Sequence, residues 1–132
     1  MSKPLSILVV DDDTVMRTMI VMLLESAGYS AVGIGGALGA SEIMKLEPFD
    51  LIVTDVVMPK MDGLEFIQEV RRKWPALPII AISGGGDHLA GAYCLKSASS
   101  LGATAVLAKP FENQQFLTLV AEVAAQGKHR PK

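Results

Sequence analysis

The stretch Ile7-Leu8-Val9-Val10-Asp11-Asp12-Asp13 decides how this chain folds. Its four consecutive branched apolar residues show no polar alternation, so a strand made from them has no face to offer to water. Such a strand belongs in a parallel sheet covered by helices on both sides. The three aspartates mark where it ends. Outward from it the same signature recurs: Leu51–Thr54 runs into Asp55, Ile79–Ile82 into Ser83, and Ala105–Ala108 into Lys109. Ala31–Ile34, bounded by Gly28 and by Gly35-Gly36, is a fifth and less apolar strand.

Helical patterns lie between these runs. Over Thr14–Ala27 the residues Val15, Met19, Met22 and Leu23 are placed on the buried side, with Asp13 or Thr14 as cap and Gly28 as stop. Leu38–Leu46 buries Ile43 and Met44. Leu64–Trp74 carries Phe66, Ile67, Val70 and Trp74 on one stripe and halts at Pro75. A fourth pattern spans Leu89–Leu101. The fifth, Gln114–Ala125, has Phe116, Leu119, Val120 and Val123 at helical spacing, with Glu112 or Asn113 as cap. Five β-α repeats with connections too long for hairpins predict an α/β fold with right-handed crossovers. The expected domain is 5–126, followed by a flexible tail at 127–132.

Composition agrees with one domain of this kind. The chain has 132 residues, of which 50% are hydrophobic and 20% charged, so apolar burial can offset chain entropy and disorder is excluded. The longest uncharged stretch, Ser26 to Ser41, is interrupted by five glycines and is too short to cross a membrane. A net charge of −2 disfavours nucleic acid and anionic lipid as partners. Cys94 is the sole cysteine, which precludes an internal disulfide, and the apolar run at 7–10 is too short for a signal-peptide core. A cytoplasmic protein is expected.

In an open parallel sheet the ligand site lies beyond the carboxyl ends of the strands. Reading the residue after each strong strand gives Asp11, Asp12 and Asp13, then Asp55, Ser83 and Lys109. Asp13 reads as a helix cap. The remaining carboxylates repel one another unless a cation offsets them, and Mg²⁺ is the cation that hard oxygen ligands suit. A metal, an ammonium and a hydroxyl together bind a phosphoryl group, and one aspartate is left as nucleophile to form an aspartyl-phosphate.

The motifs Ile-Leu-Val-Val-Asp-Asp (7–12), Leu-Ile-Val-Thr-Asp-Val-Val-Met-Pro-Lys-Met-Asp-Gly (51–63), Pro-Ile-Ile-Ala-Ile-Ser (78–83), Leu-Gly-Ala (101–103) and Lys-Pro-Phe (109–111) resemble those of the response-regulator receiver domain of two-component signalling. The resemblance covers residues 5–126. It implies a flavodoxin-like (βα)5 three-layer sandwich with strand order 2-1-3-4-5. It further implies a phosphorylation-controlled switch rather than an enzyme, one that catalyses only its own aspartyl phosphorylation and dephosphorylation. Asp55 would accept phosphoryl from a histidine kinase or a histidine phosphotransfer protein. Asp11, Asp12 and Asp55, with the backbone carbonyl of Val57, would hold Mg²⁺. Ser83, Lys109 and the amide of Gly84 would bind the phosphoryl group, and the Lys109–Pro110 peptide would be cis. Residues 58–63 would form the loop after the acceptor, with Gly63 permitting the turn into the third helix. An output protein would dock on the face made by the fourth helix, fifth strand and fifth helix.

Several positions depart from that family. Val106 stands where receivers commonly carry the aromatic of the switch, so Ser83 would have to act without it. Ser83-Gly84-Gly85-Gly86-Asp87-His88 opens the Ser83-to-Lys109 segment, which is a few residues longer than in a compact receiver. Val57 and Gly85, at the family's tuning sites for acyl-phosphate lifetime, carry no polar group. His88 reads as a loop residue, Tyr93 and Cys94 as packing, and Met16, Met19, Met22, Met44, Met58 and Met61 as core or loop packing. Alternatives are an amino-terminal module of a longer regulator or hybrid kinase, and an aspartate-nucleophile phosphohydrolase. The adjacent pair after the first strand and the lack of a cap domain speak against the phosphohydrolase. If the chain is complete, its output is a protein–protein contact.

Overall fold

The computed structural model describes residues 4–58, 61–83, 98–99 and 101–128. Strands β1 (Ser6–Val10), β2 (Ser30–Ile34), β3 (Leu51–Asp55), β4 (Ile79–Ser83) and β5 (Ala105–Ala108) pair in parallel in the order β2-β1-β3-β4-β5. Helices α1 (Thr14–Ser26), α2 (Ala37–Leu46), α3 (Gly63–Lys73) and α4 (Asn113–Lys128) flank the sheet. The helix α4 is the fifth helical pattern of the sequence. Most of the fourth pattern lies outside the described residues, and of it Ala98, Ser99 and Leu101 are helical.

The runs of β1, β3 and β4 bury on both faces, as their lack of alternation predicts, whereas β5 at the sheet edge buries Leu107 and leaves Val106 and Ala108 exposed. Ile7 and Val9 pack with Leu51, Val53, Ile80 and Ile82 beneath α1 and α4. Leu8 and Val10 pack with Ile52, Ile79 and Ala81 beneath α2 and α3. Phe116, Val120 and Val123 of α4 and Phe66, Ile67 and Val70 of α3 are buried as their spacing requires. Each such side chain contributes roughly 1.5–3 kcal/mol on removal from water. Gly28 takes φ 96° after the end of α1, a conformation that disfavours any side chain. Arg71, near the end of α3, donates to the Gly102 carbonyl at 2.7 Å and the Pro75 carbonyl at 2.7 Å, tying that helix end to the approach to β5.

Four expectations change. In α1 the residues facing the sheet are Ile20 and Leu24, with Met16 and Leu23 partly buried. Val15 (78% exposed), Met22 (64%) and Met19 face outward, so Met19 and Met22 are not core. Apolar residues cover more than half the circumference of α1, so a 3.6-residue period fits more than one phase. Asp55 and Ser83 are the last residues of β3 and β4 rather than the first beyond them. Val57–Met58 and Met61–Asp62 form a short antiparallel pair, of which all but Val57 falls in the 58–63 segment read as loop. Helix α4 reaches Lys128, two residues into the stretch read as tail.

Candidate functional site

Strand register assembles the site. Val10 lies beside Thr54, so Asp11 and Asp55 are each one residue further along neighbouring strands. Asp55 pairs with Ile82, which puts Ser83 one step beyond, and Ser83 pairs with Ala108, which puts Lys109 one step beyond again. The Lys109 amide continues that ladder by donating to the Ser83 carbonyl at 2.8 Å. Four consecutive places along one sheet edge thus carry acid, acid, hydroxyl and ammonium.

The side chains meet there. The Lys109 Nζ lies 3.2 Å from Asp55 Oδ2 and 3.5 Å from Asp11 Oδ2, bridging the two carboxylates. Asp11, Asp55 and Ser83 are buried, whereas Asp12 is exposed. Carboxylate oxygens of Asp11, Asp12 and Asp55 all lie within 4.8 Å of one another, a set of hard donors that could hold a divalent cation. Burial pushes the Asp11 carboxyl above the usual carboxylate range. The Asp13 amide, which donates to Asp11 Oδ1 at 2.9 Å, and the Lys109 ammonium pull against that shift. A buried carboxylate with its charge destabilised in this way is favoured by an added cation. The Ser83 Oγ is buried with no hydrogen-bond partner among the described residues. An orphaned buried hydroxyl is costly, and at this edge it suits a ligand oxygen.

The other sequence candidates fall as follows. Asp13 is the α1 cap, accepting from the Val15 amide at 3.0 Å and the Met16 amide at 3.2 Å, and it does not join the acidic cluster. Val57 opens the short antiparallel pair two residues past Asp55. The Lys109–Pro110 peptide is cis. Val106 is on β5, 37% exposed, in a shallow groove shared with Gln115, Thr118 and Leu119. Gly84, Gly85, His88, Tyr93 and Cys94 lie outside the described residues. One residue of the site was not singled out from the sequence. Arg17 donates from Nη1 to the Asp11 carbonyl at 2.8 Å. Its signal was Gly33 and Gly35, glycines at a strand end where another group approaches closely.

The response regulator receiver domain model matches residues 7–121. The chain belongs to the response-regulator receiver family. Among relatives, the receiver is 33% identical over 125 residues to the DNA-binding transcriptional regulator NtrC of Bradyrhizobium, covering 95% of this chain and 25% of that protein. It is 30% identical over 126 residues to the transcriptional regulatory protein FixJ of Bradyrhizobium diazoefficiens, covering 96% of this chain and 60% of that one. The receiver thus spans between a quarter and three fifths of these two curated relatives. A crystal structure of a putative response regulator from Chloroflexus aurantiacus superposes with a TM-score of 0.84 at 30% identity, over 93% of this chain and 99% of the other. The chemotaxis protein CheY4 of Vibrio cholerae gives 0.80 at 29% identity, over 91% and 98%. The expected fold and strand order are those of this family, and phosphorylation-dependent signalling is its general activity. Among the described residues no helix is long and apolar enough to cross a membrane.

Proposed function

We propose that this receiver takes a phosphoryl group onto Asp55 from a phosphohistidine of a histidine kinase or a histidine phosphotransfer protein, and thereby changes its affinity for an output protein. The observation that carries this reading is the gathering of Asp11, Asp12 and Asp55 within 4.8 Å, with Lys109 bridging two of them. A carboxylate oxygen of Asp55 would attack phosphorus as the phosphorus–nitrogen bond of the donor breaks, and the imidazole would leave with the bonding electron pair. Asp11, Asp12, Asp55 and the Val57 carbonyl would hold Mg²⁺, which when bound supplies positive charge against the phosphoryl oxygens. Lys109, already aimed at Asp55, would shift its hydrogen bonds to a phosphoryl oxygen. The Ser83 hydroxyl would gain the partner it lacks among the described residues, and the Gly84 amide would add a further donor.

Those inward pulls at Ser83 and Lys109 act on the ends of β4 and β5, so the output face would comprise the 89–101 segment, β5 with Val106, and α4. The receiver would act in the cytoplasm and bind no nucleic acid itself. On this reading it is a switch that turns over only its own phosphoryl group. A second reading, an amino-terminal module of a longer regulator, is supported by the length of NtrC and FixJ beyond the matched part.

Incubation with a small phosphodonor and Mg²⁺, followed by intact-mass measurement, tests the first reading. One base-labile phosphate adduct is expected, absent without Mg²⁺ and absent in Asp55→Asn. An adduct that persists in that variant moves the acceptor elsewhere.

A further inference from the structure

Asp12 contributes an oxygen to the acidic cluster, yet among the described residues no hydrogen bond or ion pair holds its carboxylate. With no partner to hold its rotamer, the fixed part of its placement is the position of its Cα and Cβ, which the peptide plane between Asp11 and Asp12 governs. The structure fixes that backbone from two sides. The Asp11 amide donates to the Ile34 carbonyl at the end of β2 at 3.1 Å. The Asp11 carbonyl, which belongs to the Asp11–Asp12 peptide, accepts from Arg17 Nη1 at 2.8 Å.

Arg17 reaches that carbonyl by lying across β2 where there are no side chains. A Cβ on Gly33 would sit 2.9 Å from Arg17 Cγ and 3.1 Å from Cδ, and a Cβ on Gly35 would sit 3.2 Å from the donating Nη1 itself. Neither glycine has a positive φ, so close approach rather than backbone conformation is what requires them. Gly33 seats the stem of the arginine and Gly35 seats its head. Among the described residues Arg17 makes no ion pair with the acids of the cluster, and its bond is to a backbone carbonyl, so its placement points to geometry rather than to charge pairing.

We propose that Arg17, bedded on Gly33 and Gly35, is a positioning residue that holds the Asp11–Asp12 peptide so that Asp12 faces the cation shared with Asp11 and Asp55. The proposal rests on those three acids being the cation's ligands. Groups that orient metal ligands from outside the coordination shell typically alter affinity 10- to 100-fold on removal.

Calorimetric titration of the unphosphorylated full chain with Mg²⁺, with a melting curve for each variant, tests it. Arg17→Met is expected to weaken Mg²⁺ binding about tenfold. Gly35→Ala, which retains the arginine's charge and crowds only its head, is expected to weaken binding severalfold without lowering the melting temperature. Removing a nearby positive charge by itself strengthens cation binding, so weaker binding in Arg17→Met cannot come from charge, and binding as tight as the wild type or tighter in both Arg17→Met and Gly35→Ala overturns the proposal. If Arg17→Met fails to fold, unchanged binding in Gly35→Ala alone overturns it. Asp12→Asn separates the two readings. If the wild type binds no Mg²⁺, or Asp12→Asn binds as well as it does, the ligand assignment itself is wrong. If Asp12→Asn loses binding while Arg17→Met and Gly35→Ala keep it, only the role of Arg17 falls.

Discussion

At the scale of the residue, Ser83 carries the clearest mark of a site built for something other than stability. Its hydroxyl is buried at the end of β4, between the Asp55 and Lys109 positions, with no partner among the described residues. Leaving such a group unsatisfied costs about 1–3 kcal/mol. Ser83→Ala is therefore expected to melt at the same temperature as the wild type or a few degrees higher, while its rate of phosphoryl uptake from a small donor falls. Scanning calorimetry beside a labelling time course checks both. A melting temperature that drops by more than a few degrees would mean that the hydroxyl already has a structural bond. Lys109 is the opposite case, since its ammonium is held between two buried carboxylates and serves the resting fold as well as the proposed transfer.

At the scale of the element, α1 presents two apolar faces and buries one. Ile20 and Leu24 enter the core, and Val15, Met19 and Met22 line a shallow outer groove with Thr18. Ile20→Ala is expected to cost about 2–5 kcal/mol through lost burial and the cavity left behind. Val15→Glu and Met22→Glu should stay within about 0.5 kcal/mol of the wild type, as surface changes do. Denaturant unfolding of the three variants checks the phase of the helix, and a large loss in Val15→Glu would restore the phase expected from the sequence. That expectation failed because periodicity selects a face only when the other positions are polar, and here they are not. In α3 and α4 the outward positions are polar, and there Phe66, Val70, Phe116 and Val120 were placed correctly from spacing alone.

At the scale of the whole molecule, the proposed cation ties β1 to β3 and should stabilise the fold by mass action. Above its dissociation constant each tenfold rise in Mg²⁺ is expected to add about 1.4 kcal/mol, read as a rising melting temperature. The rise should vanish in Asp12→Asn, whose exposed side chain contributes little to the metal-free fold. An undiminished rise in that variant would place the ion elsewhere. The sequence by itself determined the architecture, because short unbroken apolar runs alternating with longer helical patterns fit a parallel sheet between helices, although β5 proved to be covered on one face only. It also determined which residue types meet at the carboxyl edge, because each run stops at an acid, a hydroxyl or an amine. What it left open depends on contacts between segments distant along the chain. The phase of α1 was decided by packing against the sheet. The part of Arg17 was decided by the approach of α1 to Gly33 and Gly35, which is visible only once β2 lies beside β1. Local composition states what a segment needs to bury, whereas the neighbour that buries it is chosen by the tertiary fold.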